Sequence, residues 1–586
     1  MRVFIDLLWY FKLKKKNYAL GVMVLILVAL VNLVPPYLIR VLIDEIGKGI
    51  LTGARLLGLI ALLLGVGVSS YILRYAWRMQ IFGSAVDLAK LLRNRLYEHF
   101  TRLSPQFYHG HRTGDLMAHA TNDIQAIEMT AGEGVLTLVD SITTGGLVVA
   151  AMAIFVSWKL TLIALLPMPF MAWITSYYGT LLNKRFHTAQ EAFSELNDRV
   201  QENISGVRVI KAFGQEDTEI ESFRKLSDAV VEKNVAVAKV DSLFDPTIQL
   251  IVGISFFLSL AFGSIYVVER KLSIGQLTQF TIYLGQMIWP MLAFGWLFNI
   301  VERGRASYDR VESLLAMQTQ VSDTPGAIDI IPKGRLLINI NSFSYAEKPN
   351  PALKDIRIEI DEGQTLGIVG KTGSGKTTLL RLLLRDFDCT DGDVSIGDNS
   401  IYAVKLACLR RSIGYVPQDT FLFSTTIAEN ISFGRHGATL EDIHRAADLA
   451  AIHEDICKFT EGYNTLIGDR GVTLSGGQKQ RVSIARALLL QPELLILDDC
   501  LSAIDAKTEQ QILNTLRTER EGKTTLISAH RLSAIEHADL IIVLDNGQIV
   551  ERGTHAQLLE LDGWYSSMYR RQQLESLLEQ GGGENS

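Results

Sequence analysis

The chain has 586 residues, 48% of them hydrophobic and 20% charged, with a formal net charge of -6. That length leaves room for several domains of roughly 150 residues each, and without a basic excess a nucleic-acid partner gains no support. The four cysteines, Cys389, Cys408, Cys457 and Cys500, all lie in the second half without close metal-ligand spacing and read as reduced cytosolic thiols.

The first half holds long apolar runs, whereas most of the charge and glycine lies after Pro332. Val3 to Lys12 reads as an amphipathic segment lying along the inner membrane surface. The basic stretch Lys12 to Lys16 precedes an apolar run from Tyr18 to Ile39. That run is too long for a signal core and ends in Val34-Pro35-Pro36 without a small-residue cleavage site, so it is expected to stay as an anchor. A bilayer crossing takes about 20 apolar residues. Six runs qualify: Tyr18 to Ile43, Leu56 to Trp77, Gly134 to Ser157, Leu160 to Leu182, Thr247 to Val268 and Gln276 to Ile300. The second-to-third and fourth-to-fifth connections are long, polar and helix-forming. Both are rich in Lys and Arg (Lys90, Arg93, Arg95, Arg102; Lys184, Arg185, Arg208, Lys211), as is the N-terminus, which places all three, and both termini, in the cytoplasm.

Polar groups inside a membrane are costly, so their spacing carries information. Glu133, Thr137, Asp140 and Thr144 share one face of the third span, and Gln279, Tyr283 and Gln286 share one face of the sixth. With Trp289, Phe294, Trp296 and Phe298 nearby, these faces are expected to line a water-accessible substrate cavity; helix packing with local hydrogen bonds is the alternative. A mid-span carboxylate such as Asp140 needs water, a cationic ligand or a partner.

Residues Met317 to Gly334, with Pro325 and Pro332 as breakers, read as a linker, and Leu336 to Ile340 as the first strand beyond it. The segment Gly370-Lys371-Thr372-Gly373-Ser374-Gly375-Lys376-Thr377 follows an apolar run, Thr365 to Val369, and precedes a helix-like run, Thr378 to Arg385. This is the strand-loop-helix context of a phosphate-cradling loop. Glycines let backbone N–H groups turn onto a phosphate, the helix N-terminus adds positive dipole, Lys376 reaches the terminal phosphates, and Thr377 can hold magnesium. Further on stand Leu474-Ser475-Gly476-Gly477-Gln478 and a buried-strand run, Leu494 to Asp498, that ends in two carboxylates, Asp498 and Asp499. Asp498 is placed to hold magnesium directly or through water.

The phosphate loop followed by Leu474-Ser475-Gly476-Gly477-Gln478 resembles the ATP-binding-cassette (ABC) family, and the six-span layout resembles half of an ABC exporter. Phe107 to Leu116 with Asn122 and Asp123 looks like that family's first intracellular loop, and Glu202 to Glu216 like its second; each ends there in a coupling helix that docks on an ATPase domain. The resemblance implies a multidomain membrane protein: an all-α six-helix transmembrane domain of the type IV exporter fold at 1–316, a linker at 317–334, an α/β P-loop ATPase domain at 335–575 and a disordered tail at 576–586.

It also implies roles. Tyr345 would set its ring against adenine, Thr378 would join the phosphate loop in holding ATP, and Gln418, in Tyr415-Val-Pro-Gln418, would touch magnesium. Asp499 would polarise the attacking water, Asp505, in Ser502-Ala-Ile-Asp505, would lie at the dimer interface, and His530 would contact the terminal phosphate. Ser475, Gly476, Gly477 and Gln478 would close over the ATP held by a second half-transporter.

The family usually has glutamate where Asp499 stands, and an offset of ~1 Å in a catalytic group costs on the order of 10²-fold. A weak base beside an intact signature implies a heterodimer in which this chain's own pocket is slow and a glutamate-bearing partner is fast. A homodimer is the alternative assembly. The expected function is ATP-driven multidrug export from the plasma membrane, with membrane lipids and amphipathic small molecules as the other partners; a lipid or glycolipid flippase is the nearest rival. A soluble ABC ATPase is opposed by the spans, a peptide exporter with a cysteine protease by the lack of any cysteine before Cys389, and an importer by the fusion of membrane and ATPase parts.

Overall fold

The computed structural model describes residues 2–345, 350–389, 391–468 and 474–581, without the side chains of 294, 295 and 576–581. Phe294 therefore lies outside the described side chains, and residues 582–586 of the expected tail lie outside the described residues. The chain folds as two compact units, Met1–Arg102 with Arg112–Met317, and Leu103–His111 with Gln318–Ser586.

The first unit is helical. Its main elements are α1 (Lys15–Val31), α2 (Val34–Gly47) and α3 (Gly53–Arg102). Residues 105–110 form α4, which belongs to the second unit. Then follow α5 (Val135–Met152), α6 (Trp158–Leu165), α7 (Met168–Ser205), α8 (Val207–Phe213), α9 (Glu216–Asp241), α10 (Phe244–Val268) and α11 (Ile274–Ala316). At 1.5 Å per residue α3 is about 75 Å long, far more than the ~30 Å hydrocarbon layer, so it continues well beyond any membrane.

Among the described residues five helical stretches, Lys15–Gly47, Gly53–Arg102, Thr113–Leu165, Glu216–Val268 and Ile274–Ala316, are long and apolar enough to cross a membrane, two of them with a short break of their own, at 32–33 and 242–243. The expected fourth crossing, 160–182, is not one helix: α6 stops at Leu165 and α7 starts at Met168. Pro167 and Pro169 lie at the junction and lack the N–H groups an unbroken ladder needs, so the apolar composition is continuous while the helix is not. Near the N-terminus, the segment expected to lie on the membrane surface buries Val3, Leu7 and Tyr10 completely or nearly so. The Tyr10 hydroxyl donates to Ser84 O at 2.6 Å and the Arg95 guanidinium covers the Trp9 ring at 4.9 Å. One face of this segment thus packs on α3, leaving Ile5, Leu8 and Leu13 exposed on the other. The start of α11 is closed by a reciprocal Ser273/Gln276 cap, and Asp44 accepts from the Ser273 hydroxyl and the Gly275 N–H.

In the second unit the strands are β1 (Leu336–Phe343), β2 (Leu353–Ile360), β3 (Thr365–Gly370), β4 (Asp391–Ile396), β5 (Asn399–Ser400), β6 (Ile413–Val416), β7 (Leu494–Asp498), β8 (Thr524–Ser528), β9 (Leu540–Asp545) and β10 (Gln548–Gly553). Described strands form an antiparallel sheet in the order β2-β1-β4-β5 and a six-stranded sheet in the order β10-β9-β3-β8-β7-β6, parallel except for the β10–β9 pair. Burial alternates along β1, as one covered face requires, whereas β7 and β8 are buried throughout, as strands covered on both faces must be. Against these lie α12 (Lys376–Leu383), α13 (Gly476–Leu489), α14 (Ala506–Glu519) and α15 (Trp564–Gly581). Because α15 runs to Gly581, its helix passes the expected domain end at 575.

The segment read as a linker is pinned to the chain that follows it. Ile328 pairs with Val404, with Ile328 N–H donating to Ala403 O at 2.8 Å and Lys405 N–H to Ile328 O at 3.0 Å. Arg385, only 1% exposed, donates to Ile401 O, Val404 O and Ser322 O and pairs with Asp388 at 3.0 Å. A buried guanidinium is tolerated because its five donors are matched this fully. Helix α4 places the His109 ring 6.5 Å from that of Phe387, with His109 Nε2 3.5 Å from Arg381.

Candidate functional site

The nucleotide site grows from the end of β3. Gly370, Gly373 and Gly375 all have φ in the positive range, at 149°, 82° and 107°. A side chain on Gly370 would collide with Leu544 O, and one on Gly375 would come 2.8 Å from Leu353 Cδ2. The turn therefore admits glycine alone at these points, leaving the loop open to an anion. Lys371, Thr372 and Gly373 are exposed along it, while Ser374 is buried with no hydrogen-bond partner for its hydroxyl. Lys376 Nζ donates to Gly370 O at 2.8 Å and Lys371 O at 3.1 Å, so the ammonium sits across the loop. Burial lowers its pKa, and the nearby Asp499 and Asp498 push it back up. The Tyr345 hydroxyl donates to Thr378 Oγ1 at 2.9 Å, and its ring meets Phe343 and Phe387 edge-on. This puts an aromatic ring beside the first turn of α12.

Asp498, at the end of β7, is 1% exposed and its Oδ2 has no hydrogen-bond partner. Burial pushes its pKa up, the Thr377 and Ser528 hydroxyls pull it down, and Asp499 adds repulsion. An orphaned buried carboxylate oxygen beside a threonine hydroxyl fits magnesium, which takes oxygen donors. The amide oxygen of Gln418 supplies another such donor, since its Nε2 is engaged with Asp499 Oδ2 at 3.3 Å.

Asp499 itself has φ 48°. Its N–H donates to Ser528 O at 2.8 Å, its Oδ1 accepts the His530 N–H at 3.3 Å, and its carbonyl accepts the Ser502 hydroxyl at 3.0 Å. Gln418, Asp499 and His530, distant in sequence, are thus brought together at the carboxyl ends of neighbouring strands, where open α/β sheets place their ligands.

Ser475 caps α13: its hydroxyl accepts the Gln478 N–H, and Gln478 Oε1 accepts the Ser475 N–H at 3.0 Å. Ser475 and Gly476 are exposed. A Cβ on Gly477 would stand 2.9 Å from Ala503 O, and Ala503 N–H donates to Gln480 Oε1 at 3.1 Å, so the signature is seated on the 502–505 loop. Asp505 caps α14 by accepting the Thr508 N–H at 3.0 Å, which holds its carboxyl below the usual carboxylate range.

Sequence reading missed the residues that brace this loop system. Glu509, 3% exposed, pairs with Arg531 at 3.3 Å and accepts from Ser533 at 3.1 Å, while Gln572 bonds the His530 loop from α15. Arg531 and Ser533 flank His530 and could have been suspected; Gln572 sits in no motif.

In the membrane unit, Thr137, Asp140 and Thr144 are partly exposed on α5, with the Thr144 hydroxyl donating to Asp140 Oδ1 at 2.8 Å. The polar face of α11 differs from the expected cavity wall. Tyr283 is 1% exposed and donates to Leu33 O at 2.8 Å, Gln279 Nε2 donates to the Tyr283 hydroxyl, and Gln286 Nε2 reaches Asn32 O at 3.3 Å. These groups satisfy the carbonyls freed where α1 gives way to α2, so Tyr283 serves helix packing in this conformation. Trp289 and Trp296 are each 60% exposed.

Residues 18–291 match the ABC transporter transmembrane region and residues 353–502 the ABC transporter family. The chain belongs to the ABC transporters, as an exporter whose helical transmembrane region and α/β nucleotide-binding unit share one polypeptide; it binds ATP and couples its hydrolysis to transport. It is 47% identical over 581 residues to the multidrug resistance-like ATP-binding protein MdlA of Escherichia coli (strain K12), covering 99% of this chain and 98% of that one. It is 45% identical over 575 residues, 98% of each chain, to the probable multidrug resistance ABC transporter ATP-binding/permease protein YheI of Bacillus subtilis (strain 168). Its fold is that of the Atm1-family type IV exporters: a bacterial Atm1-family ABC exporter solved with ATP bound superposes with a TM-score of 0.79 at 28% identity, over 95% of this chain and 99% of that one.

Proposed function

We propose that this chain is one half of a heterodimeric multidrug exporter that moves amphipathic compounds out across the plasma membrane, with its termini and ATPase unit in the cytoplasm. Its similarity to multidrug resistance-like relatives supports the cargo class, and we infer a similarity to the BmrC subunit of the bacterial BmrC/BmrD exporter. The single observation that carries the division of labour is Asp499: a short carboxylate, already engaged by Gln418 and by the His530 N–H, stands where a general base is needed.

In this reading the backbone of Gly370 to Thr378 and the Lys376 ammonium hold the phosphates, and Tyr345 stacks on adenine. Thr377, Asp498 and Gln418 would hold magnesium, which supplies neutralisation of phosphate charge when bound. Asp499 accepts a proton from the attacking water, as oxygen adds to the terminal phosphorus and the bond to the ADP oxygen breaks. His530 steadies the terminal phosphate. Ser475, Gly476, Gly477 and Gln478 close the partner's pocket, with Asp505 at the interface. Closure of the paired ATPase units drives the membrane helices between inward-open and outward-open states.

The test compares two substitutions in the assembled pair. Gly477→Asp, which also meets Ala503 O, is expected to remove most magnesium-dependent ATPase because it spoils the fast pocket; Asp499→Asn is expected to reduce it only modestly. Equal losses would mean that the two pockets are alike.

A further inference from the structure

Both main-chain polar groups of His530 are bound. Its N–H donates to Asp499 Oδ1 at 3.3 Å, and its carbonyl accepts from Gln572 Nε2 at 2.8 Å. The same Gln572 amide accepts the Leu532 N–H through Oε1 at 2.9 Å. One side chain thus fills a donor and an acceptor of the loop on either side of Arg531, much as a neighbouring strand would. Arg531 meanwhile donates to Ile504 O at 3.2 Å, and Leu532 is 1% exposed, so the inner edge of the loop is fixed independently. The helix that carries Gln572 is itself anchored, because Glu551 accepts the Trp564 and Tyr565 N–H groups at its first turn.

We propose that Gln572, on the C-terminal helix α15, is a positioning residue that sets the His530 imidazole for the terminal phosphate of the nucleotide. The proposal rests on the assignment of His530 to that phosphate made above. With the N–H of residue 530 held by Asp499 and its carbonyl held by Gln572, rotation about the His530 backbone is restricted, and the exposed ring has few directions left. A primary amide is needed: it sets an N–H donor beside a carbonyl acceptor, whereas a carboxylate would set an acceptor against the His530 carbonyl. Loss of the amide frees the carbonyl end of the bracket and leaves the rest of the fold in place.

The test measures nucleotide binding by the purified full-length chain, displacing a fluorescent ATP analogue with either adenylyl imidodiphosphate or ADP. Gln572→Ala is expected to weaken the triphosphate analogue about 5- to 10-fold, the worth of one ordinary hydrogen bond, while ADP affinity and thermal midpoint stay near wild type. Gln572→Glu is expected to do the same. In a His530→Ala background neither change has anything further to remove. Equal weakening of both nucleotides, no weakening, or additive loss on top of His530→Ala would overturn the proposal. Unchanged discrimination in His530→Ala alone would instead overturn the reading of His530, whatever Gln572 does.

Discussion

Asp499→Glu asks whether this pocket is slow because its base is short. The present carboxylate is held by two contacts of 3.3 Å, from Gln418 Nε2 and the His530 N–H, on a backbone fixed at φ 48°. One added methylene advances the carboxylate by roughly 1 Å, and a placement error of that size costs on the order of 10²-fold, or ~2.7 kcal/mol of barrier. Reaching forward sacrifices the two contacts, which at ~1 kcal/mol each offset up to ~2 kcal/mol of the gain. The net advantage is therefore ~0.7 to ~2.7 kcal/mol, a rise of roughly 3- to 100-fold in turnover at this pocket. The assay is magnesium-dependent phosphate release from the assembled pair, with the partner's own catalytic carboxylate neutralised so that this pocket alone reports. Turnover that stays level or falls, with ATP affinity and thermal midpoint preserved, would refute the idea that reach limits the reaction.

Arg385→Met keeps the buried stem but strands Asp388 and the carbonyls of Ser322, Ile401 and Val404. Because the buried carbonyls of Ile401 and Val404 lose their donor, at ~1–3 kcal/mol each, a loss of about 2–6 kcal/mol in the unfolding of the ATPase unit is expected, together with faster proteolysis between residues 318 and 330; a loss below ~1 kcal/mol would contradict the clamp. Asp140→Asn keeps the Thr144 hydrogen bond but removes the charge. Drug-stimulated ATPase is expected to fall more for a cationic compound than for a matched neutral one, at unchanged thermal stability; an unchanged ratio would leave Asp140 as a packing residue.

The nucleotide loop was legible because its chemistry is local: Gly370 to Thr377 sits within a single strand-loop-helix, and no distant contact is needed to see it. The buried run ending at Asp498 was legible for the same reason. What escaped was set by tertiary partners. Hydropathy sums over residues 160–182 without registering that Pro167 and Pro169 interrupt the hydrogen-bond ladder, so the break within this span between α6 and α7 did not show. Spacing put Gln279, Tyr283 and Gln286 on one face correctly, but the face meets the carbonyls at Asn32 and Leu33 rather than water. The prolines that mark the linker were visible in the sequence, but Arg385, which pins it, lies some fifty residues further on and could not be paired with it. Gln572 could not be read at all, since its role depends on two backbone groups some forty positions away.

The ATPase-bearing unit includes Leu103–His111, made long before the rest of it, and the chain passes between the two units three times, at 102–103, 111–112 and 317–318. During synthesis α4 must therefore wait for Phe387 and Arg381 to emerge. Closing a loop of the roughly two hundred residues between His111 and Gln318 costs on the order of 5 kcal/mol of chain entropy. The unit is finished last and by non-local contact, the kind of pairing that pays loop-closure entropy before it is rewarded. An ATPase unit produced from residue 318 onward lacks a piece of its own fold.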